Sequence, residues 1–490
     1  MGDLTQAKLQ FSSELPSTLK IISYNCLGLK FISHFRRERL SEIGRRLAIA
    51  SPVPEIVGLQ ECWTQEDYDS IRYQTKHILP FGKFYYSGIF GGGLAILSKW
   101  PIEESSMYRY PLNGRPTAFF RGDWFVGKGV ACARIRMGPG PKDVAEIFCT
   151  HLHAPYESEP NDSYICHRTA QAWEIAKLMR GAAERGHLVL GLGDFNMLPL
   201  SFAHQLITAH APVKDIWRTL HPDSSIGPAN SEVERQRGRP VPNALFNLTE
   251  NGAASDGVLN TWRWSKELQK RLHKGEMITI DEHTPDPRAK RLDYIFLGKG
   301  IGTTASQWNV QDIKVGMTER HPTIGCSLSD HFSIETTLAR KTSTVDNVNQ
   351  GGQIDRCISA YDHVDHGLLS STTYDTILSM ISSYTARERY QRRFRLGNFG
   401  LSILVAIGCF IAIWWSPRPF VAFLLILLST LGFGAGVLDG LIGGLFIGSE
   451  LRALKEFEWE IQNAKDMAEA KRQETHDRDF TIKEARLGPS

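Results

Sequence analysis

Six short polar segments recur along the first 331 residues: Ser23-Tyr24-Asn25, Gln60-Glu61, Thr150-His151-Leu152-His153, Gly193-Asp194-Phe195-Asn196, Arg291-Leu292-Asp293-Tyr294 and Ser329-Asp330-His331. Together they supply hard oxygen ligands for a divalent cation, neutral donors for a phosphate, and a histidine beside a carboxylate that could activate water. A phosphodiester resists attack because its oxygens are anionic, so its charge must be neutralised before water can approach. The set points to metal-assisted cleavage of a phosphoester. Any one of these residues alone fits a hydrogen-bonded core polar group; the full ordered set does not.

Each segment lies at one end of a run that reads as a β-strand: 19–24, 56–59, 146–150, 188–192, 292–297 and 332–338, with further strands at 94–97 and 130–135. Residues 35–48 read as an amphipathic helix with its arginines on the wet face, and 164–185 as another. Alternation of short apolar runs with helix-compatible stretches over 19–340 predicts a layered α/β domain. Residues 222–287, rich in Pro, Asn, Ser, Gly and charge, read as an insertion or long connection. Within it Trp262 and Trp264 either pack on the domain or touch lipid or substrate.

A chain of 490 residues with 42% hydrophobic content can bury a large core. Its 56 basic and 53 acidic side chains are too balanced for a general nucleic-acid binder. Eight scattered cysteines with no CxxC pair suit a reducing compartment. The first twenty residues lack the apolar core and cleavage site of a secretory signal, so the N-terminal part is expected to be cytosolic. The sequons at Asn161 and Asn247 are then chance matches.

Residues 397–415 and 420–447 are apolar, free of charge except for Asp439, and separated by Ser416-Pro417-Arg418-Pro419. Each is long enough to cross ~30 Å of hydrocarbon at 1.5 Å per residue; a buried soluble hairpin is the alternative. Arg387, Arg389, Arg392, Arg393 and Arg395 precede them, which places both ends of the hairpin in the cytosol. The expected organisation is a catalytic domain over 1–340, a linker and basic juxtamembrane segment over 341–396, two transmembrane helices over 397–447, and a charged cytosolic helical tail over 448–490. Gly432, Gly434, Gly436, Gly440, Gly443 and Gly444 would allow close helix packing. Tethering raises the effective concentration of a domain at lipid head groups. The arginines could recruit anionic phospholipids as activators, at ~1 kcal/mol per basic residue.

In this order, the six segments resemble the signature of the exonuclease, endonuclease and phosphatase superfamily, the fold of pancreatic deoxyribonuclease. The resemblance implies a DNase I-like four-layer α/β sandwich and a Mg²⁺ cofactor. Glu61 would be the leading metal ligand, with Asn25 beside it and Asp330 helping with metal or water. His331 would be the general base, held in its tautomer by Asp293. Asp194 would position the nucleophile, while Asn196 and His151 would donate to phosphoryl oxygens. His153 would support the site or contact the lipid group; a zinc reading of His151-x-His153 has no cysteine or histidine cluster to complete it.

The surroundings narrow the resemblance. Residues 150–156, residues 191–196, and above all Gly114-Arg115-Pro116 followed by Gly122-Asp123-Trp124-Phe125-Val126-Gly127-Lys128-Gly129 resemble the fungal inositol phosphosphingolipid phospholipases C and their animal neutral sphingomyelinase relatives. Residues 122–128 also satisfy most of a Walker A pattern, but Gly129 stands where a Ser or Thr would bind Mg²⁺, and a strand follows rather than a helix. The family reading makes Asp123 and Lys128 activity-determining. The implied reaction is phospholipase C cleavage of an inositol phosphosphingolipid, and of sphingomyelin as a surrogate, to ceramide and a phosphorylated head group. The alternatives are a neutral sphingomyelinase preferring phosphocholine lipids, a DNA-repair-type nuclease, and a catalytically dead membrane adaptor. The absence of net basic bias and the hairpin argue against nucleic acid as a partner. The endoplasmic reticulum or the mitochondrial outer membrane would suit the hairpin.

Overall fold

The computed structural model describes residues 14–157, 161–301, 307–341 and 369–487. The chain divides into two units. The first comprises Met1–Tyr110, Phe125–Pro160 and Gln171–Gly367, and the second Pro111–Trp124, Asn161–Ala170 and Leu368–Ser490.

In chain order the elements are β1 (Thr18–Asn25), α1 (Arg36–Ala48), β2 (Ile56–Gln60), α2 (Gln65–Thr75), β3 (Phe81–Tyr85), β4 (Leu94–Ser98), β5 (Ile102–Arg109), α3 (Asp123–Val126), β6 (Gly129–Arg136), β7 (Val144–His151), α4 (Ile165–Glu184) and β8 (Leu188–Asp194). There follow α5 (Phe202–His210), β9 (Val213–Asp215), α6 (Ile216–Leu220), α7 (Glu232–Gln236), α8 (Ala244–Thr249), α9 (Lys266–His273), β10 (Asp293–Gly298), β11 (Gln307–Gly316) and β12 (Ser333–Lys341). The strands form two six-stranded sheets, ordered β11-β12-β1-β2-β4-β3 and β5-β6-β7-β8-β10-β9.

Side-chain alternation along each strand sets the layers. Leu19 and Ile21 of β1 join Ile56, Ile96, Ile147, Leu190, Leu192 and Ile295 in a core between the sheets. Ile22 and Tyr24, pointing the other way, meet Leu40, Ile43 and Leu47 of α1 and Ile71 of α2. On the outer face of the second sheet, a Cβ at Gly191 would lie 2.7 Å from the Met179 sulfur of α4. Helix, sheet, sheet, helix is the expected four-layer sandwich.

Register then carries the polar segments to one edge. β1 and β2 run parallel with Asn25 opposite Gln60. β7 and β8 run parallel with His151 opposite Asp194, and antiparallel β10 sets Asp293 opposite Asp194 on the other side. β12 runs antiparallel to β1, so His331, just before it, arrives at the same edge. Gly193 has φ +146°, and a Cβ there would sit 2.0 Å from the Thr150 carbonyl oxygen, so glycine is what allows β7 and β8 this approach.

The reading of α1 needs correction. Arg37 and Arg45 are exposed, but Arg36 and Arg39 are buried. The Arg39 guanidinium donates to the carbonyls of Cys26 (3.1 Å), Leu27 (2.8 Å), His34 (3.0 Å) and Leu328 (2.6 Å). It lies 5.2 Å from the Trp262 ring centroid. Trp262 and Trp264 pack rather than protrude: their indoles donate to Ser327 and Val258 carbonyls, and both join a cluster with Leu272 and Cys326.

The second unit contains the long helices Ser371–Ile413, Pro419–Leu441 and Ile447–Leu487. Two helices here are long and apolar enough to cross a membrane. A Cβ at Gly436 would lie 1.8 Å from Ser402 Oγ and one at Gly440 3.0 Å from the Phe399 ring, so these glycines allow the helices to touch. Asp439 pairs with Arg395 and accepts from Asn398. Much of the expected linker, 342–368, lies outside the described residues; from Ser371 onward the basic segment is helical and runs unbroken into the first apolar stretch.

Removing the Arg39 guanidinium strands several buried carbonyls at once. Arg39→Ala is expected to lower stability by about 3 kcal/mol or more, against less than about 0.5 kcal/mol for exposed Arg37→Ala, in thermal unfolding of the detergent-solubilised chain.

Candidate active site

Asn25 anchors the centre. Its Oδ1 accepts the Leu27 backbone N–H at 3.1 Å, which turns Nδ2 toward Glu61 Oε1 at 3.2 Å and Asp194 Oδ2 at 3.1 Å. Leu27, Glu61 and Asn196 have φ of +50°, +53° and +45°, a backbone region that side chains other than glycine's rarely adopt. The strain is held by neighbouring loops: Gly28 N–H donates to the Glu61 carbonyl at 2.9 Å, and Cys62 N–H to the Gly93 carbonyl at 3.0 Å.

On the opposite side, His331 Nδ1 is 2.8 Å from Asp293 Oδ2 and 2.9 Å from Ser255 Oγ. Its Nε2 faces Asp194 Oδ2 at 3.7 Å. Burial alone would lower the proton affinity of this imidazole, but the Asp293 and Asp194 carboxylates outweigh it and hold the pKa well above the usual value. His151 behaves oppositely. Burial, then the charges of Lys128 and His331, depress its pKa, so it is a neutral donor 3.6 Å from Asp194 Oδ2. Two histidines on one carboxylate thus differ in proton affinity.

Asp194 Oδ1 accepts the Asn196 N–H at 2.9 Å. Burial pushes its carboxyl up to about 7 despite the opposing pull of His331. Burial, and then the Asp330 charge, raise Glu61 as well. The Asn196 side chain and Lys128 Nζ both donate to the Leu152 carbonyl, at 3.1 and 3.2 Å. His153 is buried, its backbone N–H donating to Gln171. Asp123, buried at the start of α3, belongs to the second unit, whereas Lys128 belongs to the first.

Among the described residues, Asp194, Asp293 and His331 offer ligand atoms within 4.8 Å of one another, a group able to hold a metal ion. In that group His331 Nδ1 is engaged by Asp293 and Ser255, which leaves Nε2, facing Asp194, as the nitrogen open to a ligand. Glu61 fits a cation better, because its Oε2 is buried without a hydrogen-bond partner, as is Asp293 Oδ1. Such oxygens favour a hard divalent ion. No zinc-type cluster forms around His151 and His153 among the described residues.

Ser255 escaped the sequence reading. It lies in the 222–287 connection with no motif around it and reaches the site through isolated bridges to Lys290 and His331.

Residues 22–331 match the Endonuclease/Exonuclease/phosphatase family. The chain is 37% identical over 455 residues to an inositol phosphosphingolipids phospholipase C of Schizosaccharomyces pombe, covering 93% of this chain and 96% of the relative. It belongs to this family, in the inositol phosphosphingolipid phospholipase C branch. The branch member of Saccharomyces cerevisiae is 31% identical, covering 91% of this chain and 90% of its own length. Beyond the branch, sphingomyelin phosphodiesterase 2 of Homo sapiens is 31% identical over 230 residues, 46% of this chain and 53% of that protein. The DNase I-like architecture agrees with that membership.

Because burial raises Asp194 to about 7, that carboxyl holds a proton below this pH, and burial also makes Glu61 keep its proton to higher pH than an exposed carboxyl would, so a cation must displace protons to bind. Divalent-ion affinity is therefore expected to rise about tenfold per pH unit and per proton up to neutrality, then level off. Calorimetric titration of Mg²⁺ into the EDTA-treated protein checks this: proton release at pH 6, little at pH 8, and a smaller release in Asp194→Asn. A pH-independent affinity would refute it.

Proposed function

We propose that this chain is a membrane-tethered, Mg²⁺-dependent phospholipase C that hydrolyses inositol phosphosphingolipids, and sphingomyelin as a surrogate, to ceramide and a phosphorylated head group. What carries the reading is that the likeness to the S. pombe relative runs through 93% of the chain, a span that takes in the apolar helices as well as the catalytic unit. A phosphocholine preference is the second reading, favoured by the likeness of part of the chain to human sphingomyelin phosphodiesterase 2.

Glu61, with Asn25 and Asp330 beside it, would hold the Mg²⁺, which when bound neutralises charge on the phosphodiester. His331, in its unprotonated form, takes a proton from the attacking water at Nε2, and the Asp293 and Asp194 carboxylates strengthen it as a base. Asp293 on Nδ1 fixes the tautomer and stabilises the imidazolium that results. Asp194, between the two histidines, orients the water. Neutral His151 and the Asn196 amide donate to phosphoryl oxygens as charge grows on them, without losing a proton themselves. Water adds to phosphorus in line as the bond from phosphorus to the ceramide oxygen breaks, that oxygen takes a proton from a solvent water, and His331 returns its proton to solvent. Lys128 pairs with the head-group phosphate, and Asp123 governs activity with it. The two apolar helices would span a bilayer of the endoplasmic reticulum or the mitochondrial outer membrane with the catalytic unit cytosolic, and anionic phospholipids recruited by Arg387–Arg395 would activate.

Incubating the purified full chain with a mixed sphingolipid extract and Mg²⁺, and identifying the released head group by mass spectrometry, tests the assignment. Inositol-containing phosphates are expected; phosphocholine alone would favour the second reading, and nicked abasic DNA with intact lipid would sink both. His331→Ala is expected to lower kcat by ~10²–10⁴-fold with lipid binding retained, and Glu61→Ala to abolish the Mg²⁺-dependent rate.

A further inference from the structure

Glu61 lies between two loops, each anchored to the backbone next to it. The loop after β1 is tied by Gly28 to the Glu61 carbonyl, and the β3–β4 loop by Gly93 to Cys62. Because β3 is antiparallel to β4 and β4 to β2, the β3–β4 loop emerges at the same edge as Asn25 and Glu61. Each loop ends in a tight turn, closed by Ser33 N–H to the Leu29 carbonyl at 3.0 Å and by Gly91 N–H to the Gly88 carbonyl at 2.9 Å.

At the tips of these turns stand adjacent large apolar residues in water. Phe31 and Ile32 are 93% and 74% exposed, and Ile89 and Phe90 are 83% and 58% exposed, with Tyr86 at 70% beside them. The Lys30 ammonium lies 5.7 Å from the Phe31 ring centroid, so an apolar tip carries a cation above it, the arrangement of a side chain that snorkels. Exposed apolar clusters of this kind mark interaction surfaces. Three interstrand spacings separate the loops, about 14 Å, so they straddle the site as two separate protrusions. Such a pair suits a plane better than a groove. The same chain carries helices apolar enough to cross a membrane, and a bilayer is therefore a surface this chain can meet.

We propose that the turns at 29–33 and 88–91 form a bilayer-docking rim: Phe31, Ile32, Ile89 and Phe90 enter the boundary between head groups and acyl chains on either side of Glu61. The rim brings the site down to the level of the substrate phosphate, and this part of the inference rests on the lipid-substrate reading. Docking itself is separable from turnover.

The full chain, carrying Phe31→Cys or Ile89→Cys labelled with an environment-sensitive fluorophore, is placed in phosphatidylcholine nanodiscs, with the unsubstituted chain as labelling blank. A blue-shifted emission protected from aqueous iodide is expected at both positions. Ile49→Cys, exposed before β2 at the opposite edge, is expected to remain quenchable. Quenching at positions 31 and 89 equal to that at 49 would overturn the proposal. In mixed micelles, Phe31→Ser with Ile32→Ser, or Ile89→Ser with Phe90→Ser, is expected to raise the interfacial KM about tenfold at unchanged kcat, with no effect on a water-soluble phosphodiester. Equal losses on both substrates would also overturn it. Insertion without any sphingolipid hydrolysis would leave the rim standing and remove the catalytic reading instead.

Discussion

The crowding of acidic oxygens around Asp194 is the constraint on which the rest depends. Strand register sets it between His151 and Asp293, and Asn25 reaches it from the other sheet. Gly193 makes the register possible by removing the side chain that would collide with Thr150. With Glu61 and Asp330 nearby, the edge gathers more negative charge than buried surroundings tolerate without protons, cations or both. The fold brings the acids together, and their mutual electrostatics dictate what else the site must hold.

That crowding also divides the labour of the histidines. Both are buried, yet the one locked to Asp293 is driven toward its charged form and the one near Lys128 toward its neutral form. Identical side chains a few ångströms from one carboxylate become a proton acceptor and a hydrogen-bond donor through their neighbours alone. A proton can be taken on one side while charge is met on the other.

Much of this was legible in the chain, because the central strands are buried on both faces and read as near-continuous apolar runs. The expected strands correspond to β1, β2, β4, β6, β7, β8, β10 and β12. The four that went unread, β3, β5, β9 and β11, are the four sheet edges. Edge strands such as β5, Ile-Glu-Glu-Ser-Ser-Met-Tyr-Arg, carry polar residues on a solvated face and lose the hydrophobic signal that marks a strand. Site residues at strand ends could be read for the same reason that Ser255 could not: it comes from irregular chain, where neither period nor motif announces it. Arg39 misled because helix periodicity treats arginine as wet, whereas four carbonyls from two loops solvate this one inside the protein.

The left-handed backbone at Glu61 has an evolutionary consequence. Its conformation is one that glycine or asparagine adopts more cheaply, and its buried carboxylate carries an oxygen that no protein donor satisfies. Either replacement would relieve strain and desolvation together, so drift toward a sturdier protein runs directly through loss of the cation ligand. The acid stands at this position against the direction in which folding alone would carry it, and a sturdier variant lacking it would have traded chemistry for rest.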